Sequence, residues 1–102
     1  MNAIAPRPAT LFKGASVMIT GGTGSFGRRF ARWLLTNAKP RRLVIFSRDE
    51  FKQYEMQQQV ADLDKQGVLR FFIGDVRDQQ RLDMAMREID YVVHAAALKH
   101  VP

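Results

Sequence analysis

The sequence predicts an α/β fold, a parallel sheet with helices on its faces. Three observations carry that expectation: four short apolar runs, amphipathic stretches between them, and a glycine cluster directly after the first run. Apolar runs without alternation suit strands covered on both faces. Regular strand–helix alternation implies parallel pairing through right-handed crossovers.

The elements follow in order. Residues 1–13, with Pro6 and Pro8 and no continuous apolar stretch, read as a flexible arm rather than a signal peptide. Residues 14–102 read as one partial domain. Ser16–Thr20 is a short apolar run between Gly14 and Gly21, as expected of a buried strand. Phe26, Phe30, Trp33 and Leu34 then fall at helical spacing, with Arg28, Arg29 and Arg32 between them. Pro40 bars continuation of that helix. Leu43–Phe46 is the second strand, and Glu50–Leu63 a second helix with Met56, Val60 and Leu63 on one face. Leu69–Ile73 is the third strand. Asp78 is a plausible N-cap for a third helix whose apolar stripe is Leu82, Ala85, Met86 and Ile89. A fourth strand starts at Tyr91, and the chain is expected to be truncated after it.

Composition narrows the function. The chain has 102 residues, 46% hydrophobic and 25% charged, a globular mixture. With no cysteine, disulfides, thiolate zinc sites and a cysteine nucleophile are excluded within it. The net charge of +6 favours anions. The cations, among them Lys39, Arg41 and Arg42, form no run of the kind seen in nucleic-acid-binding tails, so no nucleic-acid partner is expected. No stretch approaches the ~20 apolar residues of a bilayer span, so a cytoplasmic location and no membrane partner are expected.

The strongest signal is Thr20-Gly21-Gly22-Thr23-Gly24-Ser25-Phe26-Gly27, which contains G-x-G-x-x-G between a strand and a helix. One glycine turns the chain off the strand, a second clears space for a pyrophosphate, and the last lets the helix pack close. The helix N-terminus then offers free amides to phosphate. This is the dinucleotide loop of a Rossmann-type sheet. No Gly-Lys-Ser/Thr follows, so a mononucleotide P-loop fits poorly.

The end of the second strand reads on coenzyme choice. A carboxylate about 20 residues beyond the glycines binds the ribose 2′-hydroxyl of NAD, whereas an arginine accommodates the 2′-phosphate of NADP. Here Ser47 stands at the acid's position, Arg48 follows, and Lys52 lies a helical turn on. Asp49 argues mildly for NAD; the balance favours NADP. Asp75 is read equally as an acceptor for the adenine amino group or as a turn cap, with Val76 against the ring. Ala95, Ala96 and Ala97 either leave room for the coenzyme or fill a crowded core. His94 reads as a core histidine without a role, and nothing gives His100 a partner.

These residues resemble the extended short-chain dehydrogenases/reductases. The longer strings Ile45–Met56, Phe72–Asp78 and His94–Pro102 resemble the inverting UDP-N-acetylglucosamine 4,6-dehydratases of pseudaminic acid synthesis, over about Phe12 to Pro102. The resemblance implies tightly bound NADP, oxidation of the sugar at C4, loss of water across C5 and C6, hydride return to C6 and inversion at C5. It implies coenzyme contacts from Gly21, Thr23, Gly24, Ser25, Phe26 and Gly27. It adds Ser47, Arg48, Asp49, Glu50, Phe51 and Lys52 at the 2′ end, then Asp75, Val76 and Ala95. Lys99 matches a lysine near both coenzyme and substrate.

The family's catalytic Asp-Lys pair and Tyr-x-x-x-Lys have no counterpart here. Gln58 follows Tyr54 and Ala95 follows Tyr91 at the lysine's position. The chain is therefore expected to be an N-terminal part, inactive alone, with no catalytic residue and no metal site. The full-length enzyme is expected to take a UDP-sugar and to form a homo-oligomer. The alternatives are a non-catalytic NADP-binding module and a related NADP-dependent UDP-sugar epimerase or dehydratase.

Overall fold

A computed structural model describes residues 8–95 of the chain. Its elements are α1 (Pro8–Phe12), β1 (Ser16–Thr20), α2 (Ser25–Trp33), β2 (Arg42–Ser47), α3 (Glu50–Val60), β3 (Leu69–Ile73), α4 (Gln79–Ala85) and β4 (Tyr91–His94). A π-helical turn, Leu34–Ala38, extends α2, and a 3₁₀ turn, Ala61–Leu63, closes α3. The four strands form one parallel sheet in the order β3-β2-β1-β4. This is the Rossmann-like arrangement expected from the alternation.

Register explains where the site forms. Thr20 lies opposite Phe46 on one side and His94 on the other, while Ser47 lies opposite Ile73. All four strands therefore end at one edge. The chain order reverses direction at β1, so the loops after β1 and β4 diverge and leave a crevice there. The opposite edge is pinned by Asp90. Its Oδ2 accepts from the Ser16 N–H at 2.8 Å, and its own N–H donates to the Ser16 carbonyl at 2.8 Å.

β1 and β2 are the buried centre, with Val17, Met18, Ile19, Leu43, Val44, Ile45 and Phe46 almost wholly covered. The sheet splits the core in two. Val17, Ile19, Leu43 and Ile45 pack under α2 and Met56, while Met18, Val44 and Phe46 pack with Ala85. The outer strands β3 and β4 are only half-buried, as edge strands are.

Three expectations need correction. The segment expected as an arm over 1–13 includes a helical turn, Pro8–Phe12, and the Phe12 ring meets Phe30 edge-on at 5.9 Å and Tyr91 at 5.3 Å. Residues 1–7 lie outside the described part. The buried face of the first long helix is Gly27, Ala31, Leu34 and Ala38, not the aromatic residues. Phe26, Phe30 and Trp33 instead stack along its flank, at 5.8 and 6.2 Å between centroids. Phe30 and Trp33 are partly buried and pack against that core, while Phe26 is exposed. His94, finally, is not a core residue; it is exposed, and its Nδ1 lies 2.7 Å from Thr20 Oγ1.

Leu34→Ala should therefore cost about 3 kcal/mol of stability, the range for an aliphatic core truncation, while Phe26→Ala should cost less than about 1 kcal/mol. Urea unfolding of the two variants checks this; equal losses would contradict the assignment of the buried face.

Candidate functional site

The loops after β1, β2, β3 and β4 enclose a cleft of about 740 Å³, within the range of small-molecule sites. Its floor is the glycine loop. Gly21 turns off β1 with φ +66°, a conformation that favours glycine, and its N–H still donates to the Phe46 carbonyl at 2.8 Å. Gly27 sits in the first turn of α2, where a Cβ would collide with the backbone of Gly22. Gly24 differs from both. Its φ is −77°, and the nearest neighbour of an added Cβ is the Gly21 carbonyl at an ordinary 3.7 Å. The fold itself does not require glycine at Gly24, which lines the cleft.

Gly24 is also the N-cap of α2 and supplies no side-chain cap. The helices α3 and α4 are capped by Asp49, accepting from the Lys52 N–H at 3.1 Å, and by Asp78, accepting from the Arg81 N–H at 3.2 Å. The first amides of α2 therefore face the cleft with their dipole, an arrangement that favours an anion.

The wall at the end of β2 carries charge. Arg48 and Lys52 line the cleft beside Asp49. Asp49 is occupied as a helix cap, which explains its presence without a ribose. Across from them, Asp75 accepts from Arg77 Nη2 at 2.7 Å, from Arg77 Nε at 3.1 and 3.2 Å, and from the Arg77 N–H at 2.9 Å. Arg48 Nη1 lies 3.6 Å from the same Oδ2. Hydrogen bonds from the Arg77 side chain, then from its backbone N–H, hold the Asp75 carboxyl well below the usual carboxylate range, and Arg48 adds to this. The Arg77 guanidinium is correspondingly raised by its bond to Asp75.

The sequence-derived residues divide clearly. Gly21, Thr23, Gly24, Ser25, Phe26 and Gly27 share the cleft with Ser47, Arg48, Asp49, Lys52, Asp75, Val76 and Ala95. Glu50 and Phe51 do not line it; Phe51 is 67% exposed on α3 and points elsewhere. Lys99, with Ala96, Ala97 and His100, lies outside the described residues. Asp75 takes the turn role that was one of its two readings, through the Arg77 N–H.

Three residues were missed. Arg77 reads in sequence as an ordinary loop cation. Gln53 reads as a polar helix residue but is buried; its Nε2 donates to Ser47 Oγ at 2.8 Å, to the Phe72 carbonyl at 3.2 Å and to the Ser47 carbonyl at 3.4 Å. It ties the end of β2 to β3 and so sets the wall beneath Arg48. Arg28 braces the glycine loop, donating from Nε to the Thr23 carbonyl at 2.8 Å and from Nη1 to Gln59 Oε1 at 2.9 Å. The only sequence signal for Gln53 was its spacing from Met56 and Val60 on one helical face.

Among the described residues no helix is long and apolar enough to cross a membrane. Residues 17–102 match the family model described as polysaccharide biosynthesis protein. Over 90% of its length the chain is 52% identical to the inverting UDP-N-acetylglucosamine 4,6-dehydratase of Campylobacter jejuni strain 81-176, covering 26% of that protein. It is 47% identical to the UDP-glucose 4-epimerase of Rickettsia prowazekii, again over 90% of the chain and 27% of the relative. The chain thus spans about a quarter of the length of the curated relatives it matches. Among solved structures, Pen from Bacillus thuringiensis superposes with a TM-score of 0.77 at 41% identity, over 88% of this chain and 26% of that one. A short-chain type dehydrogenase/reductase from Mycobacterium ulcerans shares the fold, with a TM-score of 0.68 at 21% identity, over 82% of this chain and 33% of that one.

The geometry separates the glycines by role. Gly27→Ala should lower stability by more than about 2 kcal/mol through the backbone collision, and Gly24→Ala by less than about 1 kcal/mol. Thermal unfolding of both variants distinguishes them, and the reverse order would refute the division.

Proposed function

The chain belongs to the polysaccharide biosynthesis protein family, and from that premise we propose that it is the NADP-binding N-terminal part of a C5-inverting UDP-N-acetylglucosamine 4,6-dehydratase. The observation that carries the coenzyme reading is Gly24: a glycine that the fold does not need, at an uncapped helix N-terminus lining the cleft. The higher identity to the dehydratase, 52% against 47% for the epimerase, favours the dehydratase reading.

The residues fit a dinucleotide carrying a 2′-phosphate. The α2 amides suit the pyrophosphate, and Gly24 leaves it room. Arg48 would offer a planar fork of donors to the 2′-phosphate, and Lys52 adds a second cation on the same wall. Ser47, held by Gln53, keeps the end of β2 compact so that Arg48 starts from a fixed point. Val76 offers an apolar surface to the adenine ring, and Ala95 keeps the end of β4 small. When bound, the nicotinamide supplies the transient oxidation and re-reduction that removing water from a sugar requires. Within these 102 residues no tyrosine has a lysine four positions on, so no proton-transfer step is assigned to them.

Calorimetric titration of the intact protein tests the reading, with saturable NADP uptake expected; binding of neither nicotinamide coenzyme would defeat it. Arg48→Ala should weaken NADP about tenfold or more and NAD by less than about threefold, and Gly24→Val should abolish both. Formation of a 4-keto-6-deoxy product from UDP-N-acetylglucosamine, followed by mass spectrometry on the full-length enzyme, tests the substrate assignment.

A further inference from the structure

We propose that Arg77 sets the coenzyme selectivity of this cleft by neutralising Asp75, not by holding the ligand; the inference rests on the NADP reading above.

The structure places one carboxylate between two arginines. Asp75 lines the cleft at the end of β3, and its side chain is 28% exposed. Arg77 grips it through both Nε and Nη2, and adds its backbone N–H. Arg48 reaches the same oxygen at a looser 3.6 Å, a distance of charge attraction rather than of a hydrogen bond. The two contacts are unequal, and the inequality matters. Asp75 is bound firmly to the arginine further from β2 and only loosely to the one at the end of that strand.

A 2′-phosphate on Arg48 would lie close to Asp75. Like charges at such separations repel measurably even near solvent. With Arg77 in place the carboxylate is paired and presents little net charge. Without Arg77 the carboxylate would be bare, would draw Arg48 to itself and would repel the phosphate. Removing one cation should therefore weaken NADP while sparing NAD, which carries no 2′-phosphate. Arg77 is 79% exposed in its side chain, so its loss leaves the core untouched.

The test is a double-mutant cycle on the intact protein, with Kd for NADP and for NAD measured by calorimetry for wild type, Arg77→Ala, Asp75→Asn and the double variant. Arg77→Ala should weaken NADP about three- to tenfold and leave NAD equal or tighter. Adding Asp75→Asn should return NADP to within about twofold of wild type, because the charge that needed neutralising has gone. A double variant as weak for NADP as Arg77→Ala alone would mean that Arg77 touches the ligand itself and would overturn the proposal. Equal weakening of both coenzymes by Arg77→Ala, or no change, would overturn it too. A wild-type protein that binds NADP while these variants fail to discriminate defeats this inference alone; one that binds neither coenzyme defeats the coenzyme reading with it.

Discussion

The close approach of two backbones, Gly27 in the first turn of α2 and Gly22 in the loop below it, is what the rest of the site depends on. A single methyl group at Gly27 would overlap the Gly22 peptide. Because Gly27 has no side chain, α2 begins directly over the end of β1 and runs down onto the sheet. Ala31, Leu34 and Ala38 continue that contact. Were the helix pushed outward, its first amides would turn away from the crevice between β1 and β4. Chain packing and anion affinity are therefore one constraint here, expressed at successive residues of the same loop.

The cleft has two ends built on different physics. At the glycine loop the attraction comes from backbone amides and the helix dipole, which no side-chain substitution removes unless the backbone moves. At the end of β2 it comes from exposed guanidinium and ammonium groups, whose contributions are screened and individually small. The first end is suited to a pyrophosphate common to all dinucleotides. The second, built from Arg48, Lys52, Asp75 and Arg77, is the end to which we assign the choice between coenzymes. Buried Gln53 ties Ser47 to β3 beneath the second end, while Arg28 braces the glycine loop against α3.

Much of this was legible in the sequence, and the limits have physical causes. Ser16–Thr20 and Leu69–Ile73 were readable to the residue because apolar runs flanked by glycine or polar residues have few other uses. The caps Asp49 and Asp78 belong to a local code of a few residues, and Asp78 was read from it. The buried face of that first long helix was read only at Leu34. Periodicity ranks Phe26, Phe30 and Trp33 as core because they are large and apolar, whereas the small residues Gly27, Ala31 and Ala38 share the buried face with Leu34. Arg77 and Gln53 escaped for a different reason. Sequence reading assigns polar residues to solvent, and their actual partners become visible only when β2 and β3 lie side by side.

Asp49 shows how local structure decides a chemical question. A carboxylate at the end of the second strand would ordinarily argue for a ribose hydroxyl and hence for NAD. Here that carboxylate accepts from the Lys52 N–H and closes the first turn of α3. A capping carboxylate is oriented along the helix axis and compensated by the positive end of the dipole. The other acid on this wall, Asp75, is compensated by Arg77. Both acids lining this wall thus have partners within the protein, while Arg48 holds only the looser contact to Asp75. Arg48, Lys52 and Arg77 thus outnumber Asp49 and Asp75 on the lining of this end of the cleft.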